Sequence, residues 1–230
     1  MSSELKVDTI SEKTSASGVT IDGVNLKDSV VKTDTISEKT STAGVTIDGA
    51  LIKDSKIAAT AGGGLVLLSS NTVSSSSGTS VDNIFTSAYT NYKVIINIRG
   101  SHTGVQYTYL NLRTGSSDNT SSLYASGVRT FRISADNEYE QRTDAGTQWK
   151  LNGWLGSNSD NTISSEYTIY GPAVARRTGL SGTFITDEVT EQQTGYLGAS
   201  YEADTTFDGL TLKPDAGTWT GQINIYGLGE

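Results

Sequence analysis

Between residues 65 and 230, apolar and polar side chains alternate in short runs with the period of a strand rather than a helix. The clearest run is 92–99, where Tyr92, Val94, Ile96 and Ile98 fall on one face and only Ile95 interrupts the polar character of the other. Residues 107–113 set Thr108, Leu110 and Leu112 against Tyr107, Tyr109 and Asn111. Further strands are expected at 130–133, 149–151, 166–170, 182–185, 209–212 and 218–226. In the last of these, Ile223 and Ile225 alternate with Asn224 and Tyr226. Ser, Gly, Asn and Asp clusters at 115–119 and 156–161 read as loops between them. Many short strands with frequent turn signals and no helical periodicity predict an all-β fold. The specific expectation is a jelly-roll-like antiparallel β-sandwich over 65–230.

The pattern before residue 56 is different, because it occurs twice. Residues 6–29 and 32–55 are tandem copies, identical at 18 of 24 positions. Each copy holds an alternating triplet, an Asp-Gly turn pair and a second alternating stretch. A two-residue turn at Asp22-Gly23 would pair Ile21 with Val24 and Val19 with Leu26, and all four would share one face. The second copy repeats the arrangement with Val45, Ile47, Ala50 and Ile52 inward, while Leu51 replaces Asn25 on the outer side. Alternatively, Asp-Gly turns a corner between strands of different chains. Either way, an isolated two-stranded unit is marginal in water. Three chains closing their patches against each other is the simplest shelter, so an intertwined homotrimeric shaft is expected. The competing readings are a flexible linker born of duplication and a single-chain β-solenoid, for which two repeats are too few. The expected layout is a shaft with an N-terminal attachment end over 1–55, a Gly-rich linker over 56–64 containing Gly62-Gly63-Gly64, and a head over 65–230.

The repeated wording DTISEKTSASGVTIDGVNLKDS resembles the short repeats in fibre and minor structural proteins of tailed bacteriophages. A looser likeness to terminal domains of phage fibres is carried by NIFTSAYTNYKVIINIRG, read as an opening strand pair, and by GTWTGQINIYGLGE, read as a closing strand. The resemblance implies a virion structural protein made in the host cytoplasm and displayed on the particle exterior. Its partners would be its own copies, other virion proteins through the N-terminal region, and a host-surface ligand, with a glycan favoured. Capsid decoration or a head fibre is the alternative, and a glycan-degrading spike a less favoured one.

Composition narrows the chemistry. A net charge of −8 with one adjacent basic pair, Arg176-Arg177, argues against a nucleic-acid partner. The absence of cysteine removes disulfides, thiolate metal sites and cysteine nucleophiles. No run approaches the length of an apolar membrane span, and residues 1–5 do not read as a signal peptide. His102 is the single histidine, it sits in a loop-like Ser-His-Thr-Gly stretch, and no Gly-x-Ser-x-Gly elbow accompanies it. Glycan cleavage would need a carboxylate pair. The candidates are Glu138/Glu140, Asp187/Glu188/Glu191 and Glu202/Asp204, each read first as solvated charge. Asp118-Asn119 and Asp160-Asn161 offer oxygen ligands for calcium, but Asx turns account for both. No catalytic residue, cofactor or metal is therefore assigned. One candidate contact strip remains, Trp149, Asn152 and Trp154, whose rings could stack on a sugar face if Gly153 bends the strand. Core packing is the default for both tryptophans.

Overall fold

The computed structural model describes residues 45–47, 50–53, 56–58, 64–100, 107–133, 135, 137–152, 162–187 and 192–229. Contacts divide the chain into two compact units, Met1–Ile57 and Ala58–Glu230. The first repeat, with Val19, Ile21, Val24 and Leu26, lies outside the described residues, as do His102, Trp154, Asp160, Asn161, Glu188 and Glu191.

In the first unit, β1 (Val45–Ile47), β2 (Ala50–Lys53) and β3 (Lys56–Ala58) form a three-stranded sheet in that order. β1 and β2 are antiparallel, with Ile47 opposite Ala50 and Val45 opposite Ile52. That register leaves two positions, Asp48 and Gly49, between the paired ends. Cross-strand partners share a face, so the backbone puts Val45, Ile47, Ala50 and Ile52 on one side of the hairpin. Their side-chain surroundings lie outside the described residues. Lys56–Ala58, expected to open the linker, is instead a strand of this sheet.

The second unit is built from β4 (Leu65–Ser76), β5 (Thr79–Val81), β6 (Asn91–Gly100), β7 (Thr108–Thr114), β8 (Ser117–Asp118), β9 (Tyr124–Arg132) and β10 (Glu138–Gly146). It continues with β11 (Trp149–Lys150), β12 (Thr162–Tyr170), β13 (Arg176–Asp187), β14 (Gln192–Thr205), β15 (Gly209–Pro214) and β16 (Trp219–Leu228). No helix occurs among the described residues. Four pairings nest inside one another: β4 with β16, β5 with β15, β6 with β12, and β7 with β11. A ribbon with that nesting, rolled so that β16 meets β6 and β15 meets β7, is a jelly roll. Two inserted hairpins widen it. β9–β10 enters between β7 and β11, β13–β14 enters between β12 and β15, and the two meet where β14 pairs β9. One sheet thereby reaches eight strands, ordered β10-β9-β14-β13-β12-β6-β16-β4, against a smaller sheet ordered β11-β7-β15-β5.

The alternation read from the sequence is what seats these strands. Tyr92, Val94, Ile96 and Ile98 of β6 are all buried, as are Ile223 and Ile225 of β16 and Thr108, Leu110 and Leu112 of β7. Stretch 83–100 is not a strand pair, however. It runs irregularly to Thr90 before β6 begins. The core between the sheets is strongly aromatic. Tyr124, Trp149, Tyr201 and Phe207 form a chain of edge-to-face rings with centroids 5.4, 5.0 and 5.0 Å apart along Trp149–Tyr124–Tyr201–Phe207. Buried phenols need partners, and here they fix loops. Tyr92 Oη donates to Thr86 O and accepts from Thr86 N, Tyr124 Oη donates to Asn119 O, and Tyr167 Oη donates to Leu151 O. The many tyrosines thus span the core and pin backbone at its margins.

Candidate functional site

The expected Trp149–Asn152 contact strip is not a surface. Trp149 and Asn152 are fully buried. The Trp149 indole donates Nε1–H to Ser200 O at 3.0 Å, and Asn152 Oδ1 accepts from Thr108 N at 2.5 Å. Trp149 pairs with Leu110 in the small sheet and reaches Ser200 in the large one, so it joins the two. This corrects the glycan-contact reading of both residues, and Trp219 is buried as well. The default weighed for tryptophan, packing between sheets, accounts for the position.

Among the described residues, the carboxylate candidates occupy strands rather than loops, and several of them are ion-paired. Glu138 and Glu140 lie on β10, where Glu138 pairs with Arg129 and Glu140 with Arg142. Glu202 accepts from Ser200 Oγ at 2.8 Å and lies 3.8 Å from Arg177. Asp187 ends β13, and Asp204 lies near the end of β14. Of the calcium candidates, Asn119 does form an Asx turn, its Oδ1 accepting from Ser121 N at 3.0 Å. Asp118 has a different employment, taken by Arg113. Among the described residues, no group of three or more His, Asp or Glu is placed to hold a metal.

Arg113 is a residue that alternation alone did not single out. It lies on the outer side of the small sheet yet is 8% exposed. Its Nε donates to Asp82 at 2.7 Å, while Nη1 donates to Asp118 and to Thr211 Oγ1 at 2.8 Å, and Nη2 to Ser116 O. The guanidinium holds the Asp82 carboxyl below its ordinary value, chiefly through the hydrogen bond. A second buried polar residue, Asn111, donates to Asn119 O at 3.0 Å and Thr147 O at 2.8 Å. The signal available in the sequence was an arginine in a strand with an aspartate five residues on. Both residues tie loops to the small sheet, which makes this a structural knot rather than an active site.

The side of the large sheet facing away from the small one offers a different surface. Strand pairing lays its residues out in rows across the sheet. One row runs Arg142, Gly127, Gly198, Ser181, Thr168, Lys93. The next runs Glu140, Arg129, Tyr196, Thr183, Glu166, Ile95. Exposed apolar side chains stand out on it: Tyr196 at 49%, Phe131 at 37% and Ile185 at 54%. The Tyr196 and Phe131 rings lie 6.0 Å apart at 38°. Beside them lies a trough of about 510 Å³ bounded by Arg142, Thr143, Asp144 and Ser200 and floored by Gly127 and Gly198. A second trough, about 380 Å³, is lined by Asn97, Ser164, Glu166, Thr183 and Ile185. Charges across this face come in pairs: Lys93 with Glu166 at 2.8 Å, Arg129 with Glu138, and Arg142 with Glu140.

The two floor glycines are directly opposed and differ from those facing the core. A Cβ at Gly195 would lie 2.2 Å from Arg129 O and 2.4 Å from the Phe184 ring, so close packing demands glycine there. A Cβ at Gly127 or Gly198 would meet nothing within 4 Å. Glycine inside a strand weakens it, and where packing does not require it, it marks a place where something else approaches the backbone. No protein-family model, curated protein or solved structure matches the chain.

Proposed function

We propose that this chain is a non-enzymatic structural protein of a tailed-phage virion. In this reading it is a short homotrimeric fibre whose N-terminal region docks on the particle and whose jelly-roll head faces outward to hold a host-surface glycan. The observation that carries it is the tandem repeat. The second copy pairs Val45 with Ile52 and Ile47 with Ala50, which brings four apolar positions to one side of strands only three or four residues long. Strands this short are marginal by themselves, and identical copies are the nearest available cover. Threefold display also suits adhesion, because weak single contacts gain from a raised effective concentration. On the head, ion pairs and an exposed aromatic pair on an otherwise hydrophilic sheet suit contact with a polyhydroxylated surface.

Sedimentation of the full chain tests the assembly. A species three times the chain mass, persisting on dilution, is expected; a monomer at micromolar concentration overturns the fibre. Imaging of labelled particles separates adhesion from decoration, since copies at the tail tip or hanging free support the former and copies at every capsomer junction support capsid cement. Shortened products after incubation with host polysaccharide would replace the non-enzymatic reading with a glycan-degrading one.

A further inference from the structure

Resting on that adhesive reading, we infer that the outer face of the large sheet is a binding site for an uncharged oligosaccharide. Its sugar rings lie across β10, β9, β14 and β13, with one ring stacked on Tyr196 and Phe131. The exposed rings begin the argument. Tyr196 is half exposed on a sheet face whose neighbours in its row are Arg129 and Thr183, and Phe131 leans against it at 6.0 Å. Single exposed apolar residues are ordinary, whereas a large aromatic pair between two troughs is not.

The troughs supply room on either side. Two residues along β14 from Tyr196, a distance of about 6.6 Å, the surface drops to Gly198 and its partner Gly127. From β10 to β13 is three inter-strand spacings, about 14 Å, which accommodates more than one sugar ring. Donors and acceptors stand along this track, the Arg142 guanidinium, the Asp144 carboxylate and the Ser200 hydroxyl around one trough and Thr183 in the other, with Ser164 and Asn97 just past its end on β12 and β6. The charge pattern then selects among ligands. Arg129, Arg142 and Lys93 each carry a carboxylate partner already. With those three cations matched, the charge left beside the first trough is the Asp144 carboxylate, which offers acceptors to hydroxyls and repels an anionic ligand. A protein partner would look for a continuous apolar core to its interface. Here Phe131, Tyr196 and Ile185 are broken up by Thr, Ser and Gly. Uncharged rings with one apolar face and a rim of hydroxyls match what remains.

The test is a titration of the full chain with neutral oligosaccharides of glucose, galactose and mannose, alongside uronic-acid and sialic-acid oligosaccharides, read by calorimetry and by ligand-observed NMR. Two variants accompany it. Gly198→Leu fills the floor where a Cβ has free space, and Tyr196→Ala removes the exposed ring. A neutral oligosaccharide is expected to bind, each variant to weaken it by about tenfold or more, and the melting temperature of each to stay close to that of the parent. Three results overturn the inference: no binding by any neutral oligosaccharide, preference for the acidic ones, or binding that survives both substitutions. A monomer that binds neutral glycan would sink the fibre and leave this site standing. A trimer that binds none would do the reverse.

Discussion

Replacing Trp149 probes how the two sheets are joined, and its cost follows from three contacts. The indole is fully buried, its ring meets Tyr124 edge-to-face at 5.4 Å, and its N–H is spent on Ser200 O. Truncation to alanine removes a large buried ring and leaves a void, a change that costs about 3–5 kcal/mol in well-packed cores. A domain of this size shifts its melting temperature by about 2–4 °C per kcal/mol, so Trp149→Ala should melt on the order of 10 °C lower. Trp149→Phe keeps a ring against Tyr124 but loses the hydrogen bond to Ser200 O, a net loss of about 0.5–1.5 kcal/mol. The expected order is wild type, then Phe, then Ala. Urea unfolding followed by far-UV circular dichroism is the suitable assay, since removing a tryptophan compromises fluorescence. Unchanged slopes with falling midpoints would report loss of stability alone. If Trp149→Ala unfolds within about 0.5 kcal/mol of wild type, as an ordinary surface substitution does, the indole is not the clasp.

The two kinds of strand glycine should part company. Gly195→Ala drives a methyl into Arg129 O and Phe184 and should cost about 1–3 kcal/mol, while Gly198→Ala should be neutral or stabilise by up to about 1 kcal/mol, both read as unfolding midpoints. Asp82 titrates below its ordinary range in the folded chain because of Arg113. Its contribution is therefore present above the unfolded pKa of about 3.9 and disappears as pH falls through the lower folded value. Arg113→Gln should be less stable at pH 7, with the gap to wild type narrowing on acidification; a gap constant from pH 7 to pH 2 would refute the pairing. Burial pushes the Tyr124 and Tyr167 phenols well above their ordinary value. They stabilise the fold below about pH 10 and cease to do so as pH rises past the unfolded pKa towards the folded one. In a spectrophotometric titration their phenolate signal should arrive only together with unfolding, and an early, fully reversible signal from all eleven tyrosines would contradict it.

Strands whose inward positions are Val, Ile and Leu were legible, as β6 and β16 show. β14 was not, because its inward residues are Gln193, Gly195, Leu197, Ala199 and Tyr201. Small residues there make way for rings from neighbouring strands, so the apolar signal is lent to Phe184 and cannot be read locally. β10, with the sequence EYEQRTDAG, looks like a charged loop. It is an edge strand, where charge guards against pairing with other chains. β4 hid for a related reason, since its later half is Ser, Asn and Thr apart from Val73 and it forms the opposite edge. The nested pairing follows from sandwich geometry, but the inserted hairpins that widen the large sheet do not. Nor was the candidate glycan face visible, because it depends on Gly127 standing opposite Gly198, 71 positions away in the chain. For Trp149 the default reading was core packing with sugar contact as its rival, and its burial favours the default. Arg113 was not singled out, since side-chain type alone does not report which loops fold over a strand.

β16 lies between β4 and β6 rather than at an edge, and it carries Trp219, Ile223 and Ile225 into the aromatic core. Its partners lie 119 or more positions earlier, Gly100 facing Trp219 and Ser76 facing it from the other side. During synthesis, then, the broad sheet stays split until this segment clears the ribosome, and nascent chains must keep two unzipped edges apart in the meantime. A prematurely terminated product would have no way to close the roll. The placement makes this strand the piece that joins the two parts of the large sheet.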